Sequence, residues 1–211
     1  MKLEDRFAEV LTSEAEVRAI LGAPGPVALR KALDHLNEHH QRIIQRSSFV
    51  LISSCDSKGM MDISPKGDPE GFVRILDPKT LAIPDRPGNR RADTLINLLT
   101  NDRVAVLFLV PGKGETLRVS GRGIVVRDPS LRETMTFQGK TPELAIVLEV
   151  EEAFSHCPKC VIRSHLWSRD QWPDHTDLPT HAEALHLASK VEMPVSQFAA
   201  IVEKDFSERL Y

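Results

Sequence analysis

Between Ser48 and Val150 the chain consists of short apolar or alternating runs divided by turn residues, and this pattern most narrows the folds open to it. Residues 49–52 form an apolar run, and a turn at 56–59 leads to a second short run at 61–64. Residues 72–76 and 80–83 flank Asp77-Pro78-Lys79, which reads as a hairpin connection. Residues 103–110 read as a buried strand, 116–126 as a longer alternating one and 145–150 as another. Within 116–126, Leu117, Val119 and Gly121 share one face, while Arg118, Ser120 and Arg122 share the other. A single helical stretch, residues 92–99, crosses the middle. About six strands without βαβ alternation argue against a doubly wound parallel sheet. They fit a mainly β fold with flanking helices, its antiparallel strands closing on themselves as a barrel.

The ends have a different texture. Residues 1–46 read as helical, with Ser13-Glu14-Ala15-Glu16 fitting a capping box and a break at 22–26. Residues 173–211 form a C-terminal extension whose apolar residues return to helical spacing from 181. With no internal repeat or linker in evidence, one domain over 1–211 is the simplest division, its core at 47–172.

Charge and composition then remove several function classes. The formal net charge is −3 and the pI about 6.2, whereas binding a nucleic-acid backbone favours a basic face. No apolar run approaches the roughly 20 residues of a membrane helix. The N-terminus lacks a signal-like stretch and three cysteines do not make a disulfide framework, so a cytoplasmic location is expected. No nucleic acid or membrane partner is expected.

The most pointed local pattern is Asn89-Arg90-Arg91 at the start of the 92–99 helix. Cations oppose the partial positive charge of a helix N-terminus, a conflict that a bound phosphate would relieve. The alternative is a solvated arginine pair. Residues 62–76 read as a polar, irregular loop punctuated by Pro65, Gly67, Pro69 and Gly71, with Lys66 and Arg74 as further cations. The glycines of 111–123 lack the spacing of a phosphate loop and precede a strand, which removes that reading. Cys157-x-x-Cys160 is compatible with metal binding, a redox pair or plain packing, and no second ligand pair accompanies it. Cys55 reads as a small buried hydrophobe, and His39-His40 as solvent-facing. No hydrolytic motif assembles.

In order, "SPKGDPEGFVRIL", "LAIPDRPGNRRADTLINLL", "RVAVLFLVPG", "GETLRVSGRG" and "LEVEEAFSHCPK…RSHLW" resemble the pyridoxamine 5′-phosphate oxidase-related proteins, over roughly residues 35–172. That resemblance implies a six-stranded antiparallel split barrel, a homodimer, and FMN in the cleft between its chains. It implies that Asn89, Arg90 and Arg91 hold the FMN phosphate. Ser64, Pro65 and Lys66 on one side, and Ile83, Pro84 and Asp85 on the other, would hold the flavin ring. Thr116 and Leu117 would face the flavin, with Trp167 covering it from the partner chain.

The implied chemistry is oxidoreduction of a small molecule, with NAD(P)H as a candidate electron donor. FMN storage, electron carriage, or a split barrel binding haem or a deazaflavin are the alternatives. No catalytic side chain and no metal ligand is implied. The chain ends Glu208-Arg209-Leu210-Tyr211, which departs from the Trp…Arg-Leu-x-Pro signature of the name-giving enzymes. Pyridoxamine 5′-phosphate is therefore not the expected substrate.

Overall fold

The alternating runs become seven strands: β1 (Phe49–Cys55), β2 (Met61–Gly67), β3 (Arg74–Asp77), β4 (Thr80–Pro84), β5 (Arg103–Leu109), β6 (Thr116–Val126) and β7 (Ala145–His156). Helices α1 (Glu14–Leu21), α2 (Pro26–Arg30), α3 (Glu38–Arg46), α4 (Asp93–Leu98), α5 (Pro129–Glu133), α6 (Lys159–Arg163), α7 (His181–Ser189) and α8 (Val195–Glu208) complete the chain. The computed structural model describes residues 1–211 and divides them into two compact units, Met1–Ala32 and Leu33–Tyr211.

The first unit holds α1 and α2. The Ser13 side chain accepts from the Glu16 backbone and the Glu16 carboxylate accepts from Ser13, so the capping box forms. No residue of this unit is buried. No helix anywhere in the chain is long and apolar enough to cross a membrane.

In the second unit the strands form one antiparallel sheet in the order β2-β1-β5-β6-β7-β4-β3. Its inward face carries Val50, Ile52, Val106, Phe108, Leu117, Val119 and Leu148, which pack with Ile43 and Ile44 of α3 and Leu95 and Leu98 of α4. The β6 alternation matches its sequence pattern through Arg122, and opposite Ser120/Gly121 a bulge in β7 leaves Glu151 unpaired. Gly121 is obligatory there, because a Cβ would run into the Glu149 carbonyl oxygen.

The expectation of six strands closed on themselves is corrected here: there are seven, and β2 and β3 remain open edges. The sheet nevertheless curls. β2 and β4 lie five strand spacings apart in the order, about 24 Å in a flat sheet. Yet Arg86, just after β4, places Nε 2.6 Å from Oδ2 of Asp68, just after β2. Nearby, Lys66 Nζ lies 3.5 Å from Asp85 Oδ1. Side chains bridge this gap; no backbone ladder does.

Other expectations shift too. Residues 61–67, expected to turn irregular after 61–64, run on as strand through Pro65, because an edge strand tolerates the missing N–H. Cys55 is only half-buried. His39 faces solvent but His40 does not: it is 4% exposed, with Nδ1 unpartnered. Burial, and then the neighbouring His39, lower its pKa below the ordinary histidine value.

Two stability predictions follow from this packing. Gly121→Ala should cost about 3 kcal/mol in urea denaturation, since neither bulge backbone can retreat. An unfolded histidine titrates near about 6.5, so below that pH the unfolded chain takes up the proton that folded His40 refuses. Stability should therefore fall between about pH 7 and 5.5, and this slope should shrink in His40→Gln.

Candidate functional site

The gap between β2 and the end of β4 opens into a cavity of about 340 Å³, lined by residues 62–66 and 85–95. A second pocket of about 300 Å³ continues past Lys66, Gly67, Phe72 and Pro84 and shares the wall from Arg86 to Asn89. The floor is pinned from both sides. Thr94 at the start of α4 donates to Asp62 of β2 at 3.1 Å, and buried Asn97 donates to Ser54 of β1 at 3.0 Å. At the other rim, the Asp85 N–H donates to Leu144 at 3.0 Å and carries the β4–β7 pairing one residue further.

Between these pins the chain from Arg86 to Ala92 turns tightly. Arg90 and Ala92 adopt left-handed backbones, φ 60° and 57°, conformations that cost a side-chain-bearing residue about 1–3 kcal/mol each. Asn89 Oδ1 accepts from the Arg91 N–H at 3.0 Å, which holds the turn. The helix itself is shorter than the 92–99 stretch expected. It spans only Asp93–Leu98, with no side chain capping its start. A helix of six residues contributes little dipole, so any attraction for an anion rests on the arginines and the turn rather than on α4.

The charges are distributed unevenly. Lys66, Arg86, Arg90 and Arg91 line the cavity, against Asp62, Asp85 and Asp93. Arg91 donates to Asp93 at 2.7 Å, and this bond raises its pKa further. Lys66 faces Asp85, and Arg86 is committed to Asp68 and, through Nη2, to the Met135 carbonyl at 2.9 Å. Arg90 alone has neither an ion-pair nor a hydrogen-bond partner. Arg74, the other cation of the 62–76 segment, is spent on the carbonyls of Gly71 and Thr134.

Of the residues expected at the site, Ser64, Pro65, Lys66, Asp85, Asn89, Arg90 and Arg91 line the first cavity and Pro84 the second. Ile83 is fully buried in the core beside them. Thr116, Leu117 and Trp167 do not line either pocket. Thr116 and Leu117 are buried at the start of β6, and the Trp167 indole donates to the Lys113 carbonyl at 2.8 Å. Cys157 and Cys160 are exposed, and no three metal-ligating side chains gather anywhere.

Sequence reasoning missed Asp62, Asp68, Arg86 and Thr94. Arg86 lies inside the run that drew attention, but its partner is 18 residues away on another strand end. No local spacing marks that pair.

A model of the family described as pyridoxamine 5′-phosphate oxidase matches residues 36–157, more than half of the chain. No curated protein matches it. Among solved structures, the chain is similar to HupZ of Group A Streptococcus, with 18% identity, 57% of this chain and 93% of that chain covered, and a TM-score of 0.47. It is similar to an FMN-binding protein from Syntrophomonas wolfei subsp. wolfei (9% identity, 67% and 95% covered, TM-score 0.41). It is also similar to HutZ, the heme storage protein from Vibrio cholerae (10% identity, 58% and 94% covered, TM-score 0.40).

The two bridges across the gap should differ in weight. Asp68→Ala leaves the nearly buried Arg86 guanidinium uncompensated and should cost about 3–5 kcal/mol in urea denaturation. Asp85→Ala, which removes a half-exposed pair, should cost under about 1 kcal/mol.

Proposed function

The chain belongs to the pyridoxamine 5′-phosphate oxidase family, and on that premise we propose that it is an FMN-dependent oxidoreductase acting on a small molecule. The observation that carries this reading is the Arg90 guanidinium, unpartnered on a strained turn between Asn89 and Arg91, at the mouth of a cavity in the gap of the sheet. Strain of this kind persists where surrounding structure over-determines it, and it clusters at ligand clamps. The donor set fits a phosphate monoester. Arg90 is free to bind it, Arg91 can turn from Asp93, and the Asn89 amide keeps its N–H donors while its oxygen holds the turn. A guanidinium pair takes phosphate oxygens through paired N–H donors, which a lysine could not.

Ser64, Pro65 and Lys66 of β2, facing Pro84 and Asp85, form the continuation of the same gap and would hold the flavin ring. Lys66 would add positive charge beside the ring. Ile83 backs this wall from the core. Bound FMN would supply the redox chemistry, taking a hydride or electrons from NAD(P)H or a reduced substrate and passing them on. The chain supplies position and charge; no side chain is assigned as acid or base.

An open sheet edge beside the cavity also supports a split barrel working as a homodimer. On the outer face, Met61 and Ile63 of β2 are largely exposed and Phe49 of β1 partly so. The strand register sets Ile63 opposite Ser53 and Met61 opposite Cys55, and on the same face Pro65, Leu51 and Leu107 form the next row, a partly apolar surface that a second copy would cover. In that arrangement Thr116 and Trp167, which do not line the cavity of their own chain, would serve the site of the other, with Leu117 holding the start of β6 from the core.

The test is fluorescence titration with FMN, checked by the absorption spectrum of the purified protein. Arg90→Ala with Arg91→Ala should weaken FMN binding at least about a hundredfold, since each charge-assisted bond contributes about 1.5–3 kcal/mol. Equal affinity in the double variant would remove the phosphate assignment. A flavin that stays oxidised with NADH and NADPH would leave FMN binding without turnover.

A further inference from the structure

The end of the chain reaches the same gap from a third direction. Arg209 donates to Asp205 at 2.8 Å and its N–H caps α8 at 3.0 Å, so the helix closes firmly before Leu210-Tyr211. The Tyr211 phenol then donates to Asp68 Oδ1 at 2.8 Å, while Arg86 Nε holds Oδ2 at 2.6 Å. Burial and this bond to Asp68 both raise the Tyr211 pKa, so the phenol remains a donor. Its ring packs on Phe137 at 5.0 Å between centroids, and the Arg86 guanidinium lies 5.8 Å from the ring centre. Phe137 is itself presented by a two-residue turn, Gln138 and Gly139 both left-handed, closed by paired bonds to Lys140. Every oxygen of the buried Asp68 carboxylate is thereby used, and Tyr211 completes the set.

We infer that Tyr211 is a positioning residue for the anion site: through Asp68 it fixes Arg86, the first residue of the turn that carries Asn89, Arg90 and Arg91. Four independent segments, at 68, 86, 135–137 and 211, meet at one guanidinium. Without the phenol, Asp68 has one oxygen unsatisfied and can rotate, and Arg86 follows it. The turn from Pro87 to Ala92 has no other anchor at that end beyond Asp85. Arg86 and Pro87 also divide the candidate cavity from a neighbouring one of about 340 Å³ that Tyr211 and Lys140 line, so a displaced Arg86 would merge the two.

The inference rests on the proposed anion site, so the test separates the two. Tyr211→Phe keeps the ring on Phe137 and removes only the hydroxyl. Amide exchange in the ligand-free protein should rise about fivefold or more over 86–92 while β6 and β7 are unchanged. FMN affinity, measured at a temperature where the variant is fully folded, should fall about five- to tenfold, which a merely structural role would not produce. Unchanged exchange over 86–92 overturns the inference. Faster exchange with unaltered FMN affinity overturns it as well, because the turn would then be held without the site being positioned. If the unaltered protein binds no FMN, the cofactor reading fails and exchange alone decides whether Tyr211 fixes the turn.

Discussion

The buried contact between Arg86 and Asp68 is the constraint from which the rest of the architecture follows. It joins two strand ends that the sheet order alone would keep about 24 Å apart. To make it, the sheet must curl, and because no backbone pairing spans the same interval the curl leaves a slot rather than a seam. A buried ion pair is weak evidence for stability in itself, since desolvation offsets much of the Coulomb gain. Here its consequence is geometric. It sets the width of the slot, and the slot is where the candidate site lies.

Around that slot several local rules are broken together. Pro65 sits in a strand, cations crowd a turn before a helix, and two side-chain-bearing residues take left-handed backbones. Each violation is tolerated by its setting. β2 is an edge, the Asn89 side chain braces the turn, and Thr94 and Asn97 moor α4 to β2 and β1. Local conflicts gathered at one place are the pattern of a functional site held by a regular scaffold.

The strands were largely legible in the sequence, because alternation along β6 and the apolar run of β5 report burial directly. What misled was locality. His40 looked like a surface histidine beside His39, yet a helix turns 100° per residue, and the face containing Ile43 and Ile44 takes His40 inward. Each of the seven strands overlaps a run that the sequence marks, but the open edges were not readable, since closure depends on partners distant in sequence. At the site, Arg90 and Arg91 stood out as cations at a helix start, with Asn89 beside them and Lys66 as a further cation in the 62–76 segment. Asp68 and Tyr211 did not, because an acidic loop residue and a lone tyrosine are ordinary until they meet.

The sequence by itself determined the β character of the chain, the family to which it belongs, and the cationic turn. These are properties of adjacent residues, and periodicity and motif spacing encode them locally. Tertiary structure alone decided the curl of the sheet, the slot, and the convergence of residues 68, 86 and 211 on one guanidinium. Those depend on side chains whose separation along the chain carries no signal, and only the packing of the strands brings them within hydrogen-bonding distance.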